Sequence, residues 1–179
     1  MTEVMIDLET LSTETNAAIL TIGAIKFKRN TPIPSDLKDC DTFYRRITLQ
    51  SCKTLGLHLS KETELWWSEQ SYDARYEAFE HPDRVSLKKA LNDMTIWLRG
   101  AKHIWSHGDD FDCVILGNAY NRCGLKVPWK FWNTRDTRTI YDLANITMTD
   151  LPQDNSHHAL HDCHRQITGV HKSLEILNL

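Results

Sequence analysis

The stretch Val4-Met5-Ile6-Asp7-Leu8-Glu9-Thr10 sets two acids into an otherwise apolar run. Val4 to Glu9 reads as a strand. Side chains two positions apart on a strand share a face, so Asp7 and Glu9 stand side by side while Ile6 and Leu8 point the other way. Adjacent carboxylates repel unless something positive lies between them. Working outward, Ile19 to Phe27 reads as a second strand, rich in β-branched residues and interrupted by Gly23, and Asp41 to Leu49 alternates as a third. The short links predict an antiparallel meander. His103 to Ser106 reads as a short strand, with Lys130 to Asn133 a further candidate.

Helices come mostly later. Leu87, Ala90, Leu91, Met94, Trp97 and Leu98 follow the i, i+3, i+4, i+7 pattern. Phe111 to Arg122 is a second helix stopped near Gly124, and Thr137 to Ala144 a short one. His158 to Leu177 carries Ala159, Cys163, Ile167, Val170, Leu174 and Leu177 in one stripe. Early strands surrounded by helices make a mixed α/β domain. Asn30 to Asp39 and Asp150 to Asn155 read as loops inside it, so residues 1–179 form a single domain.

The chain has 179 residues, 41% hydrophobic and 25% charged, which is a globular composition large enough for a real core. No apolar run approaches the length that spans a bilayer, and the N-terminus has neither a basic start nor an apolar signal core. A cytoplasmic protein without membrane contact is expected. The five cysteines contain no CxxC pair and read as reduced thiols. A net charge of −3 does not suit a sequence-independent nucleic-acid coat, but it is compatible with brief contacts to nucleic acid.

Two further acids stand where acids are costly. On the helix from Phe111, Asp112 falls on the face of Ile115, Leu116, Ala119 and Cys123, and so points at the sheet. Asp109 and Asp110 are placed to cap that helix, which leaves Asp112 in need of another partner. Asp162 lies about 60° from Ala159 on a helical wheel, at the border of the apolar stripe. His157 precedes that helix and can reach over the same cleft. Four carboxylates in one cleft call for divalent cations, and hard oxygen ligands suit Mg²⁺ or Mn²⁺ better than Zn²⁺. Two such ions and a histidine that accepts a proton near neutrality make a phosphodiesterase.

Ile6-Asp7-Leu8-Glu9-Thr10, Phe111-Asp112 and His157-x-Ala159-x-x-Asp162 resemble, in order, the three motifs of the DEDDh 3′→5′ exonucleases. The likeness spans nearly the whole chain. Trp66-Trp67-x-x-Gln70 and His157-His158-Ala159-Leu160-x-Asp162-Cys163 look like a compact bacterial and phage group related to ribonuclease T. The resemblance implies a ribonuclease H-like fold, a mixed five-stranded sheet flanked by helices. It also implies Asp7, Glu9, Asp112 and Asp162 as ligands of two Mg²⁺ ions, replaceable by Mn²⁺, with His157 as general base. The implied substrate is a single-stranded 3′ end of nucleic acid, RNA or DNA, released as nucleoside 5′-monophosphates, and the implied assembly is a homodimer. Substrate contacts are expected from Thr10, Leu11, Trp66, Trp67 and Phe111. Many relatives carry Asn four residues before the second-motif aspartate. Here Gly108 stands there, and His107 is the candidate replacement.

Three other readings compete. His157, His161 and His164 at i, i+4 and i+7 would form a zinc face if all three were helical, but they leave Asp7, Glu9 and Asp112 unexplained. A catalytically silent binding domain on the same fold would explain a damaged acidic set, and this one is intact. Arg122, Lys126, Lys130, Arg135 and Arg138 read either as a solvated surface or as a phosphate track, with Asp136-Thr137 supporting the site from behind.

Overall fold

The computed structural model describes residues 2–152 and 157–179. Half of the loop expected over 150–155, residues 153–155, therefore lies outside the described residues. Strands β1 (Thr2–Thr10), β2 (Ile19–Phe27), β3 (Asp41–Arg46), β4 (Ala101–Ser106) and β5 (Thr134–Asp136) form one sheet in the order β3-β2-β1-β4-β5. β1, β2 and β3 are the expected antiparallel meander, while β4 lies parallel to β1 and β5 parallel to β4. Helices α1 (Leu49–Thr54), α2 (Lys61–Ser68) and α3 (Tyr72–Arg75) follow β3. α4 (Leu87–Trp97) leads to β4, α5 (Asp112–Arg122) follows it, and α6 (Thr137–Ala144) and α7 (Ala159–Ile176) complete the fold. No described helix is long and apolar enough to cross a membrane.

β1 is the central strand, and its alternation divides the core. Val4, Ile6 and Leu8 enter one cluster with Leu91 and Met94 of α4 and Ile115 and Leu116 of α5. Met5 enters the other with Tyr141 of α6 and Cys163, Ile167 and Val170 of α7. Asp7 and Glu9 share the face of Met5, so they lie under α7. Gly23, paired with Asp7 across β2, makes that approach possible: a Cβ there would stand 2.6 Å from the Ala159 carbonyl carbon. With only a hydrogen at Gly23, the first turn of α7 rests directly on the sheet, and the Cys163 thiol lies 3.5 Å from the Gly23 carbonyl oxygen.

Two strands differ from the sequence reading. β3 stops at Arg46 rather than reaching Leu49. The Thr48 N–H turns away to the Val85 carbonyl, Ile47 bridges Val85, and Leu49 opens α1. Lys130 to Asn133 is not a strand. Phe131–Asn133 is a 3₁₀ turn closed by Asn133 N–H on the Lys130 carbonyl, and the strand begins one residue later, where Thr134 finds Ile104 as partner. All five cysteines are unpaired thiols.

Candidate active site

Three elements bring the acids together. β1 supplies Asp7 and Glu9, and the first turn of α7 supplies Asp162. One carboxylate oxygen from each lies within 4.8 Å of the other two. Asp112, buried at the start of α5, turns its Oδ1 to the Leu8 N–H at 3.1 Å, which ties the helix terminus to the strand between the two β1 acids. The expected cap is absent. Phe111 is the N-cap residue of α5 and makes no side-chain cap bond, while Asp110 is drawn away to Arg138 at 2.6 Å.

The four acids are held in an expensive state. Burial, then Asp112, Glu9 and Asp162, pushes the Asp7 carboxyl well up. Burial, then Asp162 and Asp112, pushes Glu9 up to about 8. Asp112 is also pushed up to about 8, chiefly by burial, although the Leu8 N–H favours its charged form. Asp162 is raised by burial against the opposing pull of His157 and Arg165. Such a set either keeps protons or takes cations. All four offer oxygen, the donor that Mg²⁺ and Mn²⁺ prefer, so the residues fit hard divalent cations.

One supporting residue escaped the sequence reading. Gln166 is buried one turn beyond Asp162, and its Nε2 donates to Asp7 Oδ1 at 2.8 Å, while its Oε1 has no partner among the described residues. Its signal was an amide inside the apolar stripe of α7, beside Ile167.

His157 stands just before α7 with φ 64, a left-handed conformation that releases it from the helix. Its ring meets Trp66 edge to face at 4.8 Å and Trp67 at 6.2 Å. Beside Glu9 opens a cavity of about 420 Å³, lined among others by Thr10, Ser60, Thr63, Trp66 and Phe111. That volume accommodates a small organic ligand of nucleotide size.

A family model described as the 3′-5′ exoribonuclease Rv2179c-like domain matches residues 2–174. The chain belongs to that family. It is a DEDDh 3′→5′ exonuclease, a hydrolase on a ribonuclease H-like fold. It is 25% identical over 198 residues to the exodeoxyribonuclease of Enterobacteria phage T4, covering 93% of this chain and 86% of that protein. Its fold is similar to the nuclease domain of 3′hExo, a DEDDh family member solved bound to rAMP. There the TM-score is 0.60 and the identity 12%, over 97% of this chain and 92% of that one. It is similar again to S. pombe Pop2p in its Mg²⁺- and Mn²⁺-bound form, with TM-score 0.60 and 11% identity over 96% and 82% of the two chains.

In this exonuclease the two tryptophans separate by role. Trp67 is buried, and its indole N–H donates to the Thr10 carbonyl at 2.9 Å, so it braces the end of β1 while also lining the cavity. Trp66 is 41% exposed and faces the cavity. The Leu11 side chain is buried, its N–H donates to the Ala18 carbonyl and its own carbonyl accepts from the Ser60 N–H. His107 turns toward α6, with Nδ1 2.7 Å from the Thr137 hydroxyl and its ring against Tyr141. Gly108 has φ +112, which disfavours asparagine or any other side chain, and a Cβ there would meet the Arg138 guanidinium at 3.3 Å.

The zinc face does not form. His157 lies outside the helix and His164 Nε2 is 2.7 Å from the Pro34 carbonyl oxygen. Among the described residues the acid groups that could hold an ion are Asp7-Glu9-Asp162 and Asp109-Asp110-Asp136. The second already holds Arg138, paired with Asp110 and Asp136. Arg138 is therefore not a free phosphate contact. Asp136 accepts the Arg138 N–H at 2.8 Å, and Asp110, in the loop leading to Asp112, accepts from the same arginine's guanidinium at 2.6 Å.

Proposed function

We propose that this exonuclease removes nucleotides from single-stranded 3′ ends of nucleic acid with two divalent ions and releases nucleoside 5′-monophosphates. Asp7, Glu9, Asp112 and Asp162 would hold the ions, Mg²⁺ by preference with Mn²⁺ able to replace it. The observation that carries this reading is the convergence of three carboxylates within 4.8 Å, with Asp112 anchored beside them on Leu8. Bound in pairs, such ions supply charge stabilisation to the attacking and leaving oxygens of an in-line displacement.

The chain's own residues do the rest. His157, outside the helix and braced by the edges of Trp66 and Trp67, takes a proton from the attacking water. The water oxygen bonds to phosphorus as the bond to the 3′ oxygen breaks. The shortened strand keeps that oxygen, which leaves with a proton as a 3′ hydroxyl, and the freed nucleotide carries the 5′ phosphate. The cavity beside Glu9 holds the terminal nucleoside, with Trp66, Phe111 and Thr10 in its lining.

The test uses 5′-labelled RNA and DNA strands of matched sequence, with recessed, blunt and overhanging 3′ ends, in Mg²⁺, Mn²⁺ or EDTA. Shortening from the 3′ end that needs the cation and vanishes in Asp7→Ala supports the assignment, and the matched pair reveals the preferred sugar. Full activity of metal-repleted Asp7→Ala sinks it. His157→Ala should lower turnover by roughly 10²–10⁴-fold while cation binding persists; equal loss of both would make His157 structural.

A further inference from the structure

The turn before β5 exposes a surface that the acid cleft does not use. Phe131 is 83% exposed and Trp132 57%, with ring centroids 4.9 Å apart and edge to face. Leaving two adjacent large aromatics in water is unfavourable unless something covers them. The Lys130 ammonium lies 5.1 Å from the Trp132 ring centre. Beside them runs a groove of about 250 Å³ with Leu98, Ile104 and Trp129 in its lining, and Lys102 and Lys130 at the same place.

The charged residues in the lining of this groove, Lys102 and Lys130, are of one sign. From Cys113 to Arg135 the sequence has four cations, Arg122, Lys126, Lys130 and Arg135, and no acid, although the whole chain is net negative. Lys102, Lys126 and Lys130 are exposed, and among the described residues none of them is ion-paired. The register sets the distance. Thr134 lies beside Ile104, and Ile104 beside Val4, three residues before Asp7. Strand rise and strand spacing then place the aromatic turn about 15–20 Å from the acids, a span of several nucleotides.

We propose that Phe131 and Trp132, with Lys102 and Lys130, form a second binding platform for single-stranded nucleic acid. It holds the strand several nucleotides upstream of the 3′ end being cut. This rests on the exonuclease reading above. Aromatic faces accept any base, and free ammonium groups pair with phosphates without reading sequence, which suits an enzyme that consumes its substrate base by base. The exposed, unpaired ammonium groups of Lys102 and Lys130 complement a polyanionic backbone, which favours nucleic acid over a second copy of the chain at this patch.

The experiment compares the wild type with Phe131→Ala/Trp132→Ala and with Lys102→Gln/Lys130→Gln. Labelled single strands of 3 and 20 nucleotides are digested in Mg²⁺, with thermal midpoints and sedimentation measured in parallel. For the 20-mer, KM should rise about tenfold or more in the aromatic variant, with kcat within twofold. Trimer cleavage should be unchanged. The lysine variant should flatten the salt dependence of 20-mer binding. Equal effects on trimer and 20-mer, or no effect on either, would overturn the platform. So would a wild-type dimer that the aromatic substitution turns into a monomer, because the patch would then belong to a second copy. If the wild type shortens no strand, the exonuclease reading has failed separately. Anisotropy of the labelled 20-mer in EDTA then decides the platform alone: weaker binding by the aromatic variant supports it, and equal binding overturns it.

Discussion

Protons and divalent cations should compete for the acid cleft, and the folding stability should report the competition. Glu9 and Asp112 hold their protons to about 8, against ordinary values of 4.5 and 3.8. Between about pH 4 and 8 the folded protein keeps protons that the unfolded chain has already released. Folding then takes up protons, so the contribution is fully present below the unfolded values and is lost as pH rises through about 8. One such group carried across the window is worth on the order of 5 kcal/mol. The four acids titrate as a coupled set, so the macroscopic steps belong to the set rather than to any one residue. A cation takes over the protons' role. At one hundred times its dissociation constant, one bound ion adds about 2.7 kcal/mol. In a chain of this size that raises the unfolding midpoint by about 5–10 °C. The assay is thermal unfolding at pH 5, 6.5 and 8 in EDTA, Mg²⁺ or Mn²⁺ at matched ionic strength. In EDTA the midpoint should fall from pH 5 to pH 8, and the cation gain should be greatest at pH 8. Glu9→Gln should raise the EDTA midpoint at pH 8 and forfeit most of the cation gain. A variant that keeps the full gain, or a wild-type midpoint in EDTA with the same pH profile as the variant, would refute the reasoning.

Three substitutions probe the supports of the site. Gln166→Leu removes the donor on Asp7 and should weaken cation binding by about 10–100-fold in titration calorimetry, with the fold intact by circular dichroism. Gly23→Ala forces a methyl into the backbone of Ala159 and should cost about 1–3 kcal/mol, while turnover falls much further because Asp162 rides on the displaced helix. Wild-type turnover in that variant would show that α7 need not touch the sheet. Glu3→Gln breaks a buried cluster and should cost about 3–5 kcal/mol in urea unfolding at pH 7. Glu3 is held below its ordinary value of 4.5, so its stabilisation is present above that value and is lost as pH falls through the lowered one. The two proteins should therefore converge in acid.

The parts of the site that follow a simple period were legible in the sequence. Two-residue alternation put Asp7 and Glu9 on one face, and the 3.6-residue period turned Asp112 toward the sheet. What escaped depended on partners far along the chain. Which tryptophan is buried is decided by the Thr10 carbonyl, 57 residues away from Trp67. The short β5 begins where β4 offers a partner and not where the aromatic run of Phe131 and Trp132 would favour a strand. Asp110 reads as a helix cap until Arg138, 28 residues later, takes it. Gln166 breaks the apolar stripe of α7, and only the position of Asp7 shows why.

Glu3, Asp7 and Glu9 make the last step clear, since alternation puts all three on the same face of β1. Glu3 receives the Trp105 indole N–H at 2.5 Å and the Arg29 guanidinium at 3.1 Å, with His103 Nδ1 at 3.0 Å, and its carboxyl is held low. Asp7 receives one amide from Gln166 and faces three other acids, and its carboxyl is driven high. Both ends of the strand are buried enough for an uncompensated charge to be costly. The difference between a structural acid and a reactive one is therefore the supply of donors, and along β1 that supply runs out at the end where α5 and α7 begin. The protein's own side chains satisfy the Glu3 end. The Asp7 end is left with a negative charge that protons or cations must answer, and that unmet demand is what makes it a site.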